Sequence, residues 1–125
     1  MRYAFAISWL GFIAILHALP ADDIPNYTFL DWLHADKWFH AFMFLVACLL
    51  CAYANQKQYN RPAFRFIIIG LAIYGLTLEF FQEYFFDNRS MEVLDWLADM
   101  CGTLIGVILF RKIAFLTSST STKKV

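Results

Sequence analysis

Charged residues are scarce in this sequence. Only 16% of its 125 residues are Asp, Glu, Lys or Arg, whereas 61% are hydrophobic. A soluble domain carries about 25% charged and about 45–50% apolar residues. A chain this short buries only about two-thirds of its surface on folding, so the excess of apolar side chains has no interior to fill. The composition therefore argues against a water-soluble domain and indicates a protein in lipid. The formal net charge of zero gives no bulk attraction to nucleic acid.

Short catalytic motifs are also missing. The sequence has no H-E-x-x-H and no G-x-S-x-G, so it lacks the local signatures of zinc proteases and serine hydrolases. Its three cysteines form an odd set, and the C-x-x-C made by Cys48 and Cys51 has no βαβ pattern around it. We interpret these thiols as small packing residues, and they do not indicate a redox compartment.

Four apolar segments account for most of the chain, and polar stretches separate them. They span residues 3–19, 38–54, 63–86 and 93–116. Each approaches or exceeds the roughly 20 helical residues that cross about 30 Å of hydrocarbon, and none shows the alternation of a strand. The sequence therefore predicts an all-α membrane domain over residues 1–116, built as a four-helix bundle, and a polar cytoplasmic tail over residues 117–125.

The region around the first segment allows alternatives. Segment one could be a signal peptide, but residues 18–21 fit a small-x-small cleavage site poorly, so we expect a retained helix. Residues 27–38, YTFLDWLHADKW, are a candidate for a short helix lying in the membrane interface.

The basic residues indicate an orientation. With four spans, both termini and the loop at residues 55–62 share one side of the membrane. Eight of the ten Lys and Arg residues fall on that side: Arg2, Lys57, Arg61, Arg65, Arg111, Lys112, Lys123 and Lys124. Only Lys37 and Arg89 fall on the other side. Because basic residues concentrate in cytoplasmic loops, we expect both termini in the cytoplasm, at the plasma membrane.

All ten acidic residues fall on the opposite, outer side, and several are spaced to share a helix face. Residues four apart lie on one face of a helix, and three such pairs occur at similar depth: Asp36 with His40, Glu79 with Glu83, and Asp95 with Asp99. A carboxylate in the membrane costs on the order of 3 kcal/mol, so these groups should face protein or a wet cavity. We therefore expect one polar pocket that opens outward.

Segment four gives a reason for the pairs to converge. Asp95, Asp99, Gly102 and Gly106 follow i, i+4, i+7, i+11 spacing, which is a single helical stripe. The two glycines form a G-x-x-x-G, a spacing that lets another helix approach closely in lipid. The face that carries the aspartates is therefore predicted to pack against neighbouring helices.

The same residues resemble the VanZ-like family of membrane proteins. That family has D-K-x-x-H, then E-x-x-Q, an arginine, and D-x-x-x-N followed by glycine. Here the matching pieces are DKWFHAFMF, EFFQ, Arg89 and DWLADMCGTLIG, and the resemblance covers about residues 10–110. It implies a four-helix membrane domain, and the family's namesake is associated with resistance to the glycopeptide antibiotic teicoplanin. Asp99 stands where the family often has asparagine.

Carried over onto this sequence, the motif selects eight candidate ligand-binding residues. They are Asp36, Lys37, His40, Glu79, Gln82, Arg89, Asp95 and Asp99. Lys37 and Arg89 are the natural counter-charges of the acids. A purely structural interpretation is the alternative. In it, Asp36 orients His40, the carboxylates hold the helices together, and Arg89 pairs with Asp87 or Glu92.

Three functions remain open from the sequence. The first is a binding protein whose outward pocket takes an envelope ligand, such as a lipid headgroup or a cell-wall precursor. The second is a membrane-embedded hydrolase in which the carboxylates and one histidine hold a divalent cation that activates water. The third is a structural or accessory subunit with a membrane protein partner. Membrane lipids are expected to surround the chain in each case.

Overall fold

Four helices form the bundle. The computed structural model describes residues 1–18, 35–55, 61–85 and 91–122, and the side chains of these except 61–63 and 117–122. The helices are α1 (Arg2–His17), α2 (Ala35–Ala54), α3 (Arg61–Phe85) and α4 (Val93–Thr122), and the described residues contain no strand. The predicted all-α class is confirmed. The candidate interfacial helix at residues 27–38 falls mainly outside the described residues.

Two helix boundaries differ from the predicted ones by three residues or more. α2 begins at Ala35, so Asp36 and Lys37 lie in its first turn instead of preceding it. α4 continues to Thr122, past the predicted end of the apolar segment at Leu116. The stretch TSSTST contains neither proline nor glycine, so nothing in it strongly opposes the helix. The predicted tail thus starts within a helix.

Three of the helices have the length and composition of membrane spans. Ala35–Ala54, Phe64–Phe85 and Val93–Leu116 are each long and apolar enough to cross a bilayer, whereas α1 is a shorter apolar helix of 16 residues. At 1.5 Å per residue α1 extends about 24 Å, less than the hydrocarbon thickness of about 30 Å. Phe66 and Phe115, 76% and 72% exposed, face outward, as lipid-facing residues do. The four-span topology remains a prediction for α1.

The packing centres on α2 and α4, which run parallel and form the closest helix pair. A Cβ at Gly102 would collide with the backbone carbonyl of Ala41, and one at Gly106 would lie 2.8 Å from Cβ of Cys48. Only glycine permits this approach, as the G-x-x-x-G spacing predicts. α1 lies against α2, and α3 lies against α4.

Side chains also bond to backbone carbonyls across helices. Trp9 Nε1 of α1 donates to Met43 O of α2 at 3.0 Å, and Tyr74 Oη of α3 donates to Leu10 O of α1 at 2.5 Å. Trp96 Nε1 of α4 likewise donates to the carbonyl oxygen of Ala72 on α3 at 3.0 Å. These bonds fix the helices in register, and an apolar core around Ile13 and Phe44 fills the bundle.

Candidate functional site

A cluster of polar side chains occupies one end of the bundle, where α1 and α3 end and α2 and α4 begin. We call it the polar cluster. Its members are His17 from α1; Asp36, Lys37 and His40 from α2; Glu79 and Gln82 from α3; and Glu92, Asp95 and Asp99 at and after the start of α4. The spacing of the acids predicted this convergence for α2, α3 and α4.

Lys37 is the centre of the more exposed part of the polar cluster. Its Nζ donates to Asp95 Oδ1 at 2.6 Å, to Asp36 Oδ2 at 2.9 Å and to Glu92 Oε2 at 3.0 Å. The lysine and Asp95 are 21% and 14% exposed, whereas Asp36 and Glu92 are about half exposed. One ammonium group therefore holds three carboxylates together and joins the beginnings of α2 and α4.

His40 and Asp99 form a second contact between α2 and α4, about one turn further along the helices than Lys37 and Asp95. His40 Nδ1 lies 3.0 Å from Asp99 Oδ1, and His40 Nε2 lies 3.9 Å from Asp95 Oδ2. Asp99 is fully buried, and its Oδ2 has no hydrogen-bond partner among the described residues. The purely structural interpretation had Asp36 orient His40, but Asp36 pairs with Lys37 instead. The partners of His40 come from α4 because α2 packs closely against the glycines of α4.

Glu79 connects α3 to the start of α4. Its side chain is 1% exposed, and its Oε2 accepts a hydrogen bond from the backbone N–H of Glu92 at 3.0 Å. Glu92 O in turn accepts from the N–H of Asp95 at 3.0 Å, so Glu92 lies at the helix N-terminus. A carboxylate is favourable at this position, where backbone N–H groups point outward. The other oxygen, Oε1, is buried and has no partner among the described residues.

The face of α3 that meets the cluster carries Glu79 and Gln82. Gln82 is 6% exposed, and its Nε2 donates to His17 O at 3.1 Å. Glu83, paired with Glu79 by the i, i+4 spacing, is exposed. Both i+3 and i+4 neighbours share a helix face, and the direction from which α1 approaches selects Gln82.

His17, like Glu92, is a member of the polar cluster that was not among the predicted site residues. Its ring lies 5.0 Å from the ring of His40, edge to face. Its Nδ1 donates to Ile13 O at 2.9 Å. No second polar residue of α1 stands one turn away from His17, so no spacing pattern marks it. Its place depends on the packing of α1 against α2 and α3.

One predicted site residue cannot be placed. Arg89 falls at residues 86–90, outside the described part of the chain, so its anion contact and its pairing with Asp87 or Glu92 remain predictions. Within the described residues, Lys37 is the only lysine or arginine in the polar cluster, which contains five carboxylates, and it pairs with three of them. The cluster is therefore rich in acidic groups. The imidazoles of His17 and His40 are its other basic side chains.

A groove adjoins the polar cluster between α1 and α3. Its volume is about 250 Å³, and it is lined by Ala14, His17, Ala18, Leu78, Phe81 and Gln82. Four of these six residues are apolar. The other two, His17 and Gln82, belong to the polar cluster, so the groove and the cluster share a wall.

Two sets of side chains in the cluster have the types and spacing of metal ligands. His17, His40 and Glu79 each offer one ligand atom, and these atoms lie within 4.8 Å of one another. Asp36, Glu92 and Asp95 form the second such set, but Lys37 Nζ already lies within hydrogen-bonding distance of all three. The ammonium group occupies the charge position that a cation would take.

These features define a polytopic α-helical membrane protein with a buried polar cluster at one end. The VanZ/LLP1 family model matches residues 3–116. The chain belongs to this family, and the resemblance drawn from its motifs is confirmed. No curated protein and no solved structure matches the sequence.

Proposed function

We propose that the protein binds an amphipathic ligand of the cell envelope, either a membrane lipid or a lipid-linked cell-wall precursor. The polar head of the ligand would lie at the polar cluster and its apolar chain in the adjoining groove. The proposed ligand-binding residues are those of the family motif: Asp36, Lys37, His40, Glu79, Gln82, Arg89, Asp95 and Asp99.

The observation that carries the proposal is the shared wall of the groove and the cluster. His17 and Gln82 line the groove, and both belong to the buried polar group at the end of the bundle. An apolar groove beside a cluster of polar side chains matches a molecule with a hydrocarbon chain and a polar head. Ligand sites in proteins are commonly apolar recesses with a few polar groups that set orientation.

Unpartnered buried oxygens favour ligand binding over a purely structural role. Glu79 Oε1 and Asp99 Oδ2 are buried and have no hydrogen-bond partner among the described residues. Leaving such a group unsatisfied costs about 1–3 kcal/mol, and more when it is charged. A purely structural role does not explain why these oxygens lack partners. In a binding site, a polar ligand would donate hydrogen bonds to them.

The charge distribution supports an outward-facing site in the plasma membrane. Arg2, Arg65, Arg111 and Lys112 lie near the other end of the bundle, where Arg2 stacks over the ring of Tyr53 at 5.1 Å. Because basic residues favour the cytoplasmic side, that end would face the cytoplasm together with both termini, and the polar cluster would face outward. An envelope role of this kind is also what the resistance phenotype of the family's namesake suggests.

The test is to identify the lipids that the protein retains. The full chain is purified in mild detergent, and co-purifying lipids are quantified by mass spectrometry relative to protein and to the bulk membrane. We expect one lipid class in stoichiometric amount, strongly enriched over the membrane. Glu79→Gln should reduce its retention about tenfold or more, since a hydrogen bond to a charged group contributes about 1.5–3 kcal/mol and about 1.4 kcal/mol is tenfold in affinity.

Glu83→Gln is the matched control. Glu83 lies one turn from Glu79 on the same helix, carries the same charge and is exposed, so its substitution should leave retention unchanged. A wild-type lipid profile equal to that of the bulk membrane, or equal losses in both variants, would contradict the proposal.

A further inference from the structure

One part of the polar cluster has the side-chain set of a transition-metal site. We infer that His17, His40 and Glu79 bind a Zn²⁺-class metal ion. The three residues come from three different helices, and one ligand atom of each lies within 4.8 Å of the others. This site goes beyond the proposed lipid binding: it shares His40 and Glu79 with the proposed ligand-binding residues and adds His17, which lies outside the family motif.

Both histidines are oriented in the way that metal ligands usually are. His17 Nδ1 donates to the backbone oxygen of Ile13 at 2.9 Å, and His40 Nδ1 bonds to Asp99 Oδ1 at 3.0 Å. When Nδ1 carries a proton held by an oxygen, the Nε2 lone pair of a neutral imidazole is the one that binds a metal. A backbone carbonyl and a carboxylate are the usual outer partners of zinc-bound histidines. Asp99 would then act as a positioning residue for His40.

Glu79 supplies the negative ligand. It is 1% exposed, so its charge is removed from water. Oε2 is engaged by the N–H of Glu92, whereas Oε1 has no partner among the described residues. A metal ion would satisfy this oxygen and neutralise the buried carboxylate, which is otherwise costly at this depth.

The ligand types select the kind of metal. Imidazole nitrogens suit zinc, copper, iron and nickel, whereas magnesium and calcium prefer oxygen ligands. Two histidines and one glutamate form a known zinc set that leaves the fourth, tetrahedral position for water or another oxygen. Ligand atoms around a tetrahedral Zn²⁺ with bonds of about 2.1 Å lie roughly 3.4 Å apart. From separations of up to 4.8 Å, the ligand atoms therefore need to approach one another by about 1.4 Å at most, which side-chain rotations can provide.

The test uses the full chain without a polyhistidine tag, stripped of metal with a chelator and kept in detergent. Zn²⁺ alone is titrated and bound metal is measured by calorimetry and elemental analysis. We expect one Zn²⁺ per chain, with affinity about tenfold or more lower in His17→Gln and in Glu79→Gln. Glu83→Gln should bind as the wild type does. A wild-type protein that binds no Zn²⁺, or a His17→Gln variant with unchanged affinity, would overturn the site.

A second measurement needs no variant, so it remains decisive if a substitution impairs folding. Co²⁺ added to the stripped wild-type protein should give the intense visible absorption of four-coordinate cobalt, and Zn²⁺ should displace it. The weak spectrum of octahedral Co²⁺ would overturn the site. Because no lipid is added in either experiment, a failure here is separate from a failure of lipid retention.

Discussion

Gly75 on α3 lies directly against the carboxylate of Asp99 on α4. A Cβ added at Gly75 would lie 2.8 Å from Asp99 Oδ2 and 3.2 Å from the ring of Phe44. The absence of a side chain at this position therefore makes the space that the buried aspartate occupies. Since Asp99 also holds His40, the glycine indirectly shapes the polar cluster.

Substitution of this glycine should be costly. Gly75→Ala forces Asp99 and Phe44 to move in a packed region, and overpacking of this kind costs about 1–3 kcal/mol. Gly70→Ala is the control on the same helix, because an added Cβ there meets nothing within 4 Å, and it should change stability by no more than about 1 kcal/mol. The free energy of unfolding in mixed detergent micelles measures both. Equal effects of the two substitutions would contradict the assigned contact.

The glycines of the G-x-x-x-G in α4 should tolerate substitution by alanine even less than Gly75 does. An added Cβ at Gly102 would overlap the backbone carbonyl of Ala41, and a backbone cannot rotate away as a side chain does. Gly102→Ala should therefore cost about 3 kcal/mol or more and separate α2 from α4. Gly11→Ala, where the added Cβ meets nothing within 4 Å, should be nearly neutral. Both are checked by unfolding in mixed micelles and by yield of monodisperse protein. Near-wild-type stability of Gly102→Ala would show that the two helices are not in close contact.

Lys37 should be needed to hold its three carboxylates together. Lys37→Met removes the ammonium group and leaves Asp36, Glu92 and Asp95 facing one another, so we expect a loss of about 1 kcal/mol, the range of partly exposed ion pairs. The loss should shrink when salt rises from about 0.1 M to about 1 M, since screening weakens the remaining repulsion. Lys112→Met, an exposed lysine of α4, should change stability little. A loss in Lys37→Met that is independent of salt would mean that repulsion is not its cause.

Much of this architecture could be predicted from the sequence, because helices in lipid leave a strong apolar signal. The long apolar segments and the stripe of Asp95, Asp99 and Gly102 follow from helical periodicity alone. Helical spacing alone did not decide between Gln82 and Glu83, since i+3 and i+4 neighbours share a face, and it was the family motif that named Gln82. His17 and Gly75 were missed because each acquires its role from a contact with a different helix, and neither belongs to a local pattern.

The central claim is that polar side chains from separate helices meet in one buried cluster. A double-mutant cycle between His40 and Asp99 tests it most directly, with unfolding measured for the wild type, His40→Ala, Asp99→Ala and the double variant. Residues in direct contact show coupling, whereas distant ones are additive within about 0.5 kcal/mol. The 3.0 Å contact between His40 Nδ1 and Asp99 Oδ1 predicts a coupling energy of about 1 kcal/mol or more. Additive effects of the two substitutions would contradict the cluster.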